Sequence, residues 1–522
     1  MPRGRRGVDS VCVVVLLIAG FMVAACANEG SLYSPAVVVA QARDPLSLDP
    51  ALATSSEAAQ IVSQIFEPLV RRANPSRGVK PCLATRWQVS KDGLRWLFHL
   101  RRGVHFHDGT VFDADAVVFS FERQRDLAHP FFRKGFAYGK TTFGHIVRTR
   151  KIERFTVEIQ TRRPFAPFLA TLATYPVGIV NPREFRLRGD KARPIGTGPY
   201  RFVRWRRGDR IVLARNVGYW GGTPKVKRLV FAVIPGAQQR LNGLESGTVD
   251  MIFGLQPKLR PLVQLHPDLR LLSAGAPNIA YLAMNTRRPP FDDIRVRRAV
   301  NYAIDKRLIV KLGYEGLARS ADGPLPAEMW SHLGGAPRYS YNPGRARRLL
   351  REAGFPKGQG FILRVMTTPR PYLPSPKLVA RIIARNLLQV GIRVEIVARP
   401  HAEHVAALHK GAFDLGILGW VTDNGDPDNF LYVLLDRDNI ASGQNVAFFN
   451  DLRVHRLLTS ARQEMRRRAR EILYQTAQKI IADEAPWVPL AHATMLVALR
   501  RRLVDVRVAP TNTLHLRGMD VR

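Results

Sequence analysis

Apolar and polar positions follow two periods along this chain. Runs such as Val37-Val38-Val39-Ala40, and the stretches 96–100 and 155–159, carry β-branched and aromatic residues at strand spacing. Between such runs the period lengthens. Over 377–390, Leu378, Val379, Ile382, Ile383 and Leu387 form one helical stripe, which Gly391 stops before an alternating strand at 392–396. Asp113 is placed to cap a helix over 113–123. Asn342 followed by Pro343 opens another helix, closed by Gly354. Helix, glycine and strand in close succession predict an α/β fold, with helices on the faces of wound sheets. Folding is expected to begin near residue 36, and there is no internal repeat or low-complexity linker.

The first residues differ from the rest. Arg3, Arg5 and Arg6 precede an apolar run at 11–25. A bilayer span needs about 20 apolar residues, so a basic start, a short apolar core and small residues predict a secretory signal peptide over 1–25. The run ends Val23-Ala24-Ala25-Cys26, which resembles the lipobox of bacterial lipoproteins. That resemblance implies lipidation at Cys26, a membrane anchor, and a polar tether over 26–36. Cys12 leaves with the signal, so Cys82 alone is free for other roles, and a disulfide or Cys-rich metal site is excluded from the mature chain. Cys82 is expected to be a small buried apolar residue.

Charge changes the picture less than its size suggests. Lys and Arg number 80 against 42 Asp and Glu, a formal net charge of +38. The arginines are spread along the chain, often in pairs such as Arg71-Arg72 and Arg347-Arg348, with no zinc-finger, homeodomain or RNP pattern. They read as solvated faces, and nucleic acid is not expected as a partner. Catalytic motifs are absent: no Gly-x-Ser-x-Gly, His-Glu-x-x-His or phosphate-binding loop occurs, so no enzyme is expected. His105 with His107, and His401 with His404 and His409, have ligand chemistry but read better as surface or supporting histidines. Asp423, Asp426 and Asp428 alternate like a calcium loop, yet the Gly and closing Glu are misplaced. No cofactor or metal is expected.

Several motifs point further. Ile195-Gly196-Thr197-Gly198-Pro199-Tyr200, the stretch 87–107, Tyr219-Trp220-Gly221-Gly222, the stretch 296–305 and Asp426-Pro427-Asp428-Asn429 occur in order from near residue 37 to the C-terminus. Together they resemble the bacterial extracellular solute-binding proteins of the dipeptide/oligopeptide/nickel family, which deliver ligand to ABC importers. The resemblance implies a periplasmic-binding-protein-like type II α/β fold of two lobes joined by a hinge. Lobe I would comprise 37–277 plus 488–522, split into two subdomains by an insertion at roughly 76–195. Lobe II would comprise 278–487, with crossings near Asn278 and Pro486. It also implies permease subunits as partners, a monomer, and a place in the periplasm or tethered to the envelope through Cys26.

Within the family, 420–430 and Arg370-Pro371-Tyr372 are most similar to the dipeptide binders. That similarity assigns Asp423 to a peptide's α-ammonium and Arg370 to its α-carboxylate. Gly419, Trp420, Tyr372, Ser55, Ser56 and Tyr138 would line the cleft, with the 278–281 segment a weaker candidate. The stretch 131–149 around Tyr138 matches the family poorly. Asp426 and Asp428 are expected to fix the loop through turn and cap bonds. Opposite charges at a fixed separation would act as a ruler, because each added residue lengthens an extended peptide by roughly 3.3–3.6 Å. Haem, a nickel chelate, δ-aminolevulinate or an antimicrobial peptide on the same scaffold remain alternatives. A lipid-tethered envelope scaffold using the basic surface is another.

Overall fold

The structure, a computed structural model, describes residues 36–73, 78–136, 138–274, 277–335, 338–355, 360–508 and 513–522. The expected signal segment, Cys26 and the tether up to residue 35 lie outside the described residues. Three sheets organise the chain. The first has seven strands. At its centre Ala36–Gln41 runs parallel to Arg228–Val233 on one side and to Met251–Phe253 on the other. Antiparallel strands extend both edges, ending at Tyr200–Arg206 and Leu269–Ala274. Helix Ser56–Ile65 closes one face, packing Ile61 and Ile65 into the cluster that holds Val37 and Val39.

The second sheet has six strands, with the wholly buried Asn278–Met284 inside and Ala318–Ser320 and Arg393–Arg399 at its edges. The apolar stripe at Val379, Ile382, Ile383 and Leu387 is the inner face of helix Pro376–Leu388, which packs on this sheet. A four-stranded antiparallel sheet, Ala84–Val89, Arg95–Leu100, Thr156–Thr161 and Ile146–Glu153, forms its own core with helix Ala114–Arg125. Asp113 and Asn342 both cap as expected, accepting from Asp115 N at 3.1 Å and Arg345 N at 2.9 Å.

The chain crosses between the large sheets twice. Leu269–Ala274 lies in the first and Asn278–Met284 in the second; Trp487–Ala493 lies in the second and Met495–Arg500 in the first. The return crossing therefore falls between Ala493 and Met495, later than the expected Pro486, because Trp487–Ala493 pairs with Asn278–Met284. Asn278 clamps the two crossings: its Nδ2 donates to Ala493 O at 2.7 Å and its Oδ1 accepts from Ala493 N at 2.8 Å.

The recurring motifs converge on one buried carboxylate in the first lobe. Glu67 accepts from Thr197 Oγ1 at 2.9 Å, Tyr219 Oη at 2.6 Å and Trp220 Nε1 at 2.8 Å. Burial pushes its carboxyl above the usual range despite these donors. The Cys82 thiol lies 3.7 Å from it, buried. Gly196 and Gly198 are required by close approach, since a Cβ there would stand 2.1 Å from Ile65 O and 2.4 Å from Gln64 O. This signature is a packing device. Among the described residues, no helix is long and apolar enough to cross a membrane.

Candidate functional site

The lobes meet through side-chain and backbone bonds away from the crossings. Arg72 donates to Gly425 O at 3.2 Å, Asn424 Nδ2 to Thr171 Oγ1 at 3.4 Å, and Ala166 N to Arg462 O at 2.7 Å. Arg462 also donates to His145 Nε2 at 3.1 Å. Burial and the Arg462 charge push His145 down to about 4, so its ring is neutral and can accept. The loop after strand Leu415–Val421 thus sits against the first lobe.

That loop holds three aspartates in different company. Asp426 receives two bonds from Arg470, at 2.7 and 3.1 Å, and caps Asp428 N at 3.1 Å. Asp428 lies 3.1 Å from the Arg462 guanidinium. Asp426 makes the expected cap bond, whereas Asp428 is held by its ion pair with Arg462 instead of a cap bond; the sequence revealed neither arginine. Asp423 has no ion-pair partner among the described residues. Burial pushes its carboxyl up to about 6, and the Asn429 amide offsets only part of that. Asn429 Oδ1 organises the turn, accepting from Asp423 N at 3.0 Å and from Trp420 Nε1 at 2.9 Å. From the other lobe, Tyr138 and Tyr175 face this carboxylate. Their hydroxyls are 2.8 Å apart, and the Asp423 charge helps raise both phenols.

Arg370 sits on a tight turn, where it and Leu373 exchange backbone bonds of 3.0 and 2.9 Å. Its Nε is buried and without a partner. Its guanidinium lies on the Tyr372 phenol, pulling against the burial that raises that group. Tyr372 in turn rests on Gly419, where a Cβ would come within 2.3 Å of the Tyr372 ring. Gly419 therefore links the Asp423 end of the site to the Arg370 end. Thr367 N donates to Arg399 O at 2.8 Å, so the Arg370 loop and the helix beginning at His401 leave adjacent strands together. Burial, Arg370 and Arg43 all push His401 down, to about 4. Arg43 comes from the first lobe and pairs with Glu57 at 3.0 Å.

Ser55 and Ser56 begin the helix that carries Glu57, the partner of Arg43. Ser55 Oγ caps its helix by accepting from Ala58 N at 3.1 Å, and Ser56 Oγ donates to Glu57 at 3.1 Å. Asp423, Trp420, Gly419, Tyr372 and Arg370 thus lie together in the second lobe, with Tyr138 of the first beside Asp423, while the serines are tied to Glu57 and to their own helix. Sequence reasoning missed Tyr175, Asn429 and Arg43, and read His401 as a surface or supporting histidine rather than as part of this site. Asn429 was visible in the Asp-Pro-Asp-Asn motif; the rest left no local signal.

The metal readings find other roles. His107 bonds Gly198 O at 3.0 Å and accepts from Gly196 N at 3.3 Å, bracing the glycine turn. His404 Nε2 is 2.9 Å from Ile417 O. Among the described residues the histidine–carboxylate grouping with ligand geometry is Asp436, Asp438 and His455, which includes no histidine of either set. A groove of about 740 Å³ beside Arg307, Lys311 and Arg319 shares no residue with the Asp423–Arg370 site.

Comparison with known proteins follows this geometry. Residues 78–442 match the bacterial extracellular solute-binding proteins, family 5, middle region. The chain is 35% identical over 487 residues to heme-binding protein A of Haemophilus influenzae, covering 89% of this chain and 88% of that one. It is 31% identical over 526 residues to the dipeptide-binding protein of Escherichia coli, covering 97% and 98%. The fold matches a crystal structure of a Pseudoalteromonas sp. SM9913 dipeptide-binding protein in complex with Met-Leu, with TM-score 0.83, 26% identity, and 93% and 100% coverage. The chain belongs to the family-5 solute-binding proteins and has their two-lobed, type II periplasmic-binding-protein fold.

Proposed function

We propose that this family member captures small peptides, dipeptides first among them, between its lobes and presents them to the permease of an ABC importer in the periplasm or outer envelope. On this reading Cys26 carries the lipid anchor and the protein acts as a monomer. The observation that supports the reading is Asp423: a half-buried carboxylate with no cationic partner among the described residues, in a chain of net charge +38. An isolated, partly desolvated charge is costly, and a peptide's α-ammonium supplies the missing partner. Trp420 walls that end. Arg370 meets the α-carboxylate at the other, its planar fork suited to two oxygens.

The ligand's work is to join lobes. Asp423 and Arg370 belong to one lobe, Tyr138, Tyr175 and Arg43 to the other, so a bound zwitterion bridges both and favours the closed form. Closure exposes one defined surface to the permease and needs no covalent step. Mass spectrometry of ligand released from the purified protein tests this. Short peptides of mixed sequence are expected; a preparation that releases none, and does not take up added dipeptide, contradicts it.

A second reading has one observation in its favour: a relative at 35% identity is named a heme-binding protein. Haem would place propionates at the arginines and leave Asp423 unpaired. Absorption in the Soret region after incubation with haemin, displaced by no dipeptide, would select it.

A further inference from the structure

The Arg370 end of the cleft holds more cationic chemistry than one carboxylate requires. Arg370 Nε and His401 Nδ1 are both buried without a partner. They leave neighbouring parallel strands, Gly360–Met366 and Arg393–Arg399, whose ends are paired at Met366 and Arg399. Arg43 reaches the same place from the first lobe, its side chain 56% exposed, with Glu57 as its one acidic partner. Facing His401 are therefore Arg370, Arg43 with Glu57, and on its own helix the buried His404 and the exposed Glu403. Setting aside Glu403, which is exposed to solvent, two fixed positive charges stand against the one negative charge of Glu57, beside an imidazole able to take a second proton. A single terminal carboxylate balances the fixed charges. A second one would be balanced only by protonating His401.

We propose that Arg43 and His401 extend the Arg370 site into a seat for two carboxylates, so that the protein prefers peptides whose C-terminal residue is Asp or Glu. This rests on the peptide reading above. Arg370 takes the main-chain carboxylate, and the acidic side chain lies between Arg43 and His401. Burial first, and the neighbouring guanidiniums with it, keep the empty imidazole neutral. An incoming second carboxylate acts in the opposite sense, so acidic peptides bind with uptake of a proton from solvent onto His401. Being divided between the lobes, the seat also couples this preference to closure.

Isothermal titration of Ala-Glu and Ala-Gln into the full-length mature protein tests the idea. At pH 7.5 Ala-Glu is expected to bind about tenfold tighter, one charge-assisted contact's worth. The ratio should widen at pH 6.0. Titration of Asp423 affects both peptides alike and cancels in the ratio. The preference should fall below about threefold in H401Q and in R43Q, and R43K should retain most of it; unchanged thermal transitions establish that the variants are folded. A ratio near one in the unaltered protein, or a preference that survives both H401Q and R43Q, overturns this inference alone. Failure of both peptides to bind overturns the peptide reading and this inference with it.

Discussion

Asp423, Asp426 and Asp428 are close in sequence but sit in different electrostatic surroundings. Arginines compensate the last two, while Asp423 is half-buried beside amide and phenol groups, and desolvation pushes its carboxyl up to about 6. Its ordinary value, 3.8, is the lower one, so folding favours its protonated form. That contribution to the stability of empty protein is complete below about pH 3.8 and is lost as pH rises through 6. Chemical denaturation of unaltered protein and D423N should show this: the advantage of D423N at pH 7.5 should shrink by pH 5. Binding has the opposite sign, because an ammonium needs the carboxylate. Affinity for a dipeptide should fall as pH drops through 6, by up to about tenfold per unit well below it, and D423N should show no such decline. The acidic loop and its family resemblance were legible in the sequence. Which aspartate lacked a cation was not, since Arg462 and Arg470 come from helices distant in the chain.

At the scale of elements, strand Leu415–Val421 carries the site. Its Gly419 accepts the Tyr372 ring, and Tyr372 supports Arg370. G419A should displace that ring, lowering stability by about 1–3 kcal/mol, and should weaken dipeptide binding by more than it weakens folding, because Arg370 moves with Tyr372. Denaturation and calorimetry on one preparation would separate the two effects. Strand and helix periods were readable, and the helices with Asp113 and Asn342 caps begin where capping chemistry puts them. The return crossing was misjudged because Trp487–Ala493 has no sequence feature that distinguishes one sheet from the other; only its pairing with Asn278–Met284 does. The family signature was legible as a motif but not as physics. Its glycines and aromatics serve the buried Glu67. E67Q would turn an amide towards donors, leaving at least one unpaired at about 1–3 kcal/mol each, and its unfolding midpoint should fall accordingly with little change in ligand preference.

For the whole molecule, the proposed function requires closure to couple binding to transport. The lobes touch at Asn424, Gly425 and Arg462 on one side and Thr171, Arg72 and His145 on the other. His145 stacks on Phe165 with ring centroids 4.0 Å apart and accepts from Arg462 without contacting the proposed ligand atoms. H145A should weaken closure, reducing dipeptide affinity by about three- to tenfold, and small-angle scattering should show a larger radius at subsaturating peptide. The two-lobed fold was legible from resemblance; the contacts that join the lobes were not, since they pair residues hundreds of positions apart. The central claim is that Asp423 and Arg370 measure a small zwitterion by its two charged ends. Calorimetric affinities for Ala-Ala, its N-acetyl form and its C-terminal amide test it most directly. Each blocked form should bind about 10–100-fold more weakly, the value of one charge-assisted bond, and D423N should lose its discrimination against acetylation while R370Q loses it against amidation. Equal affinity for all three ligands would contradict the account.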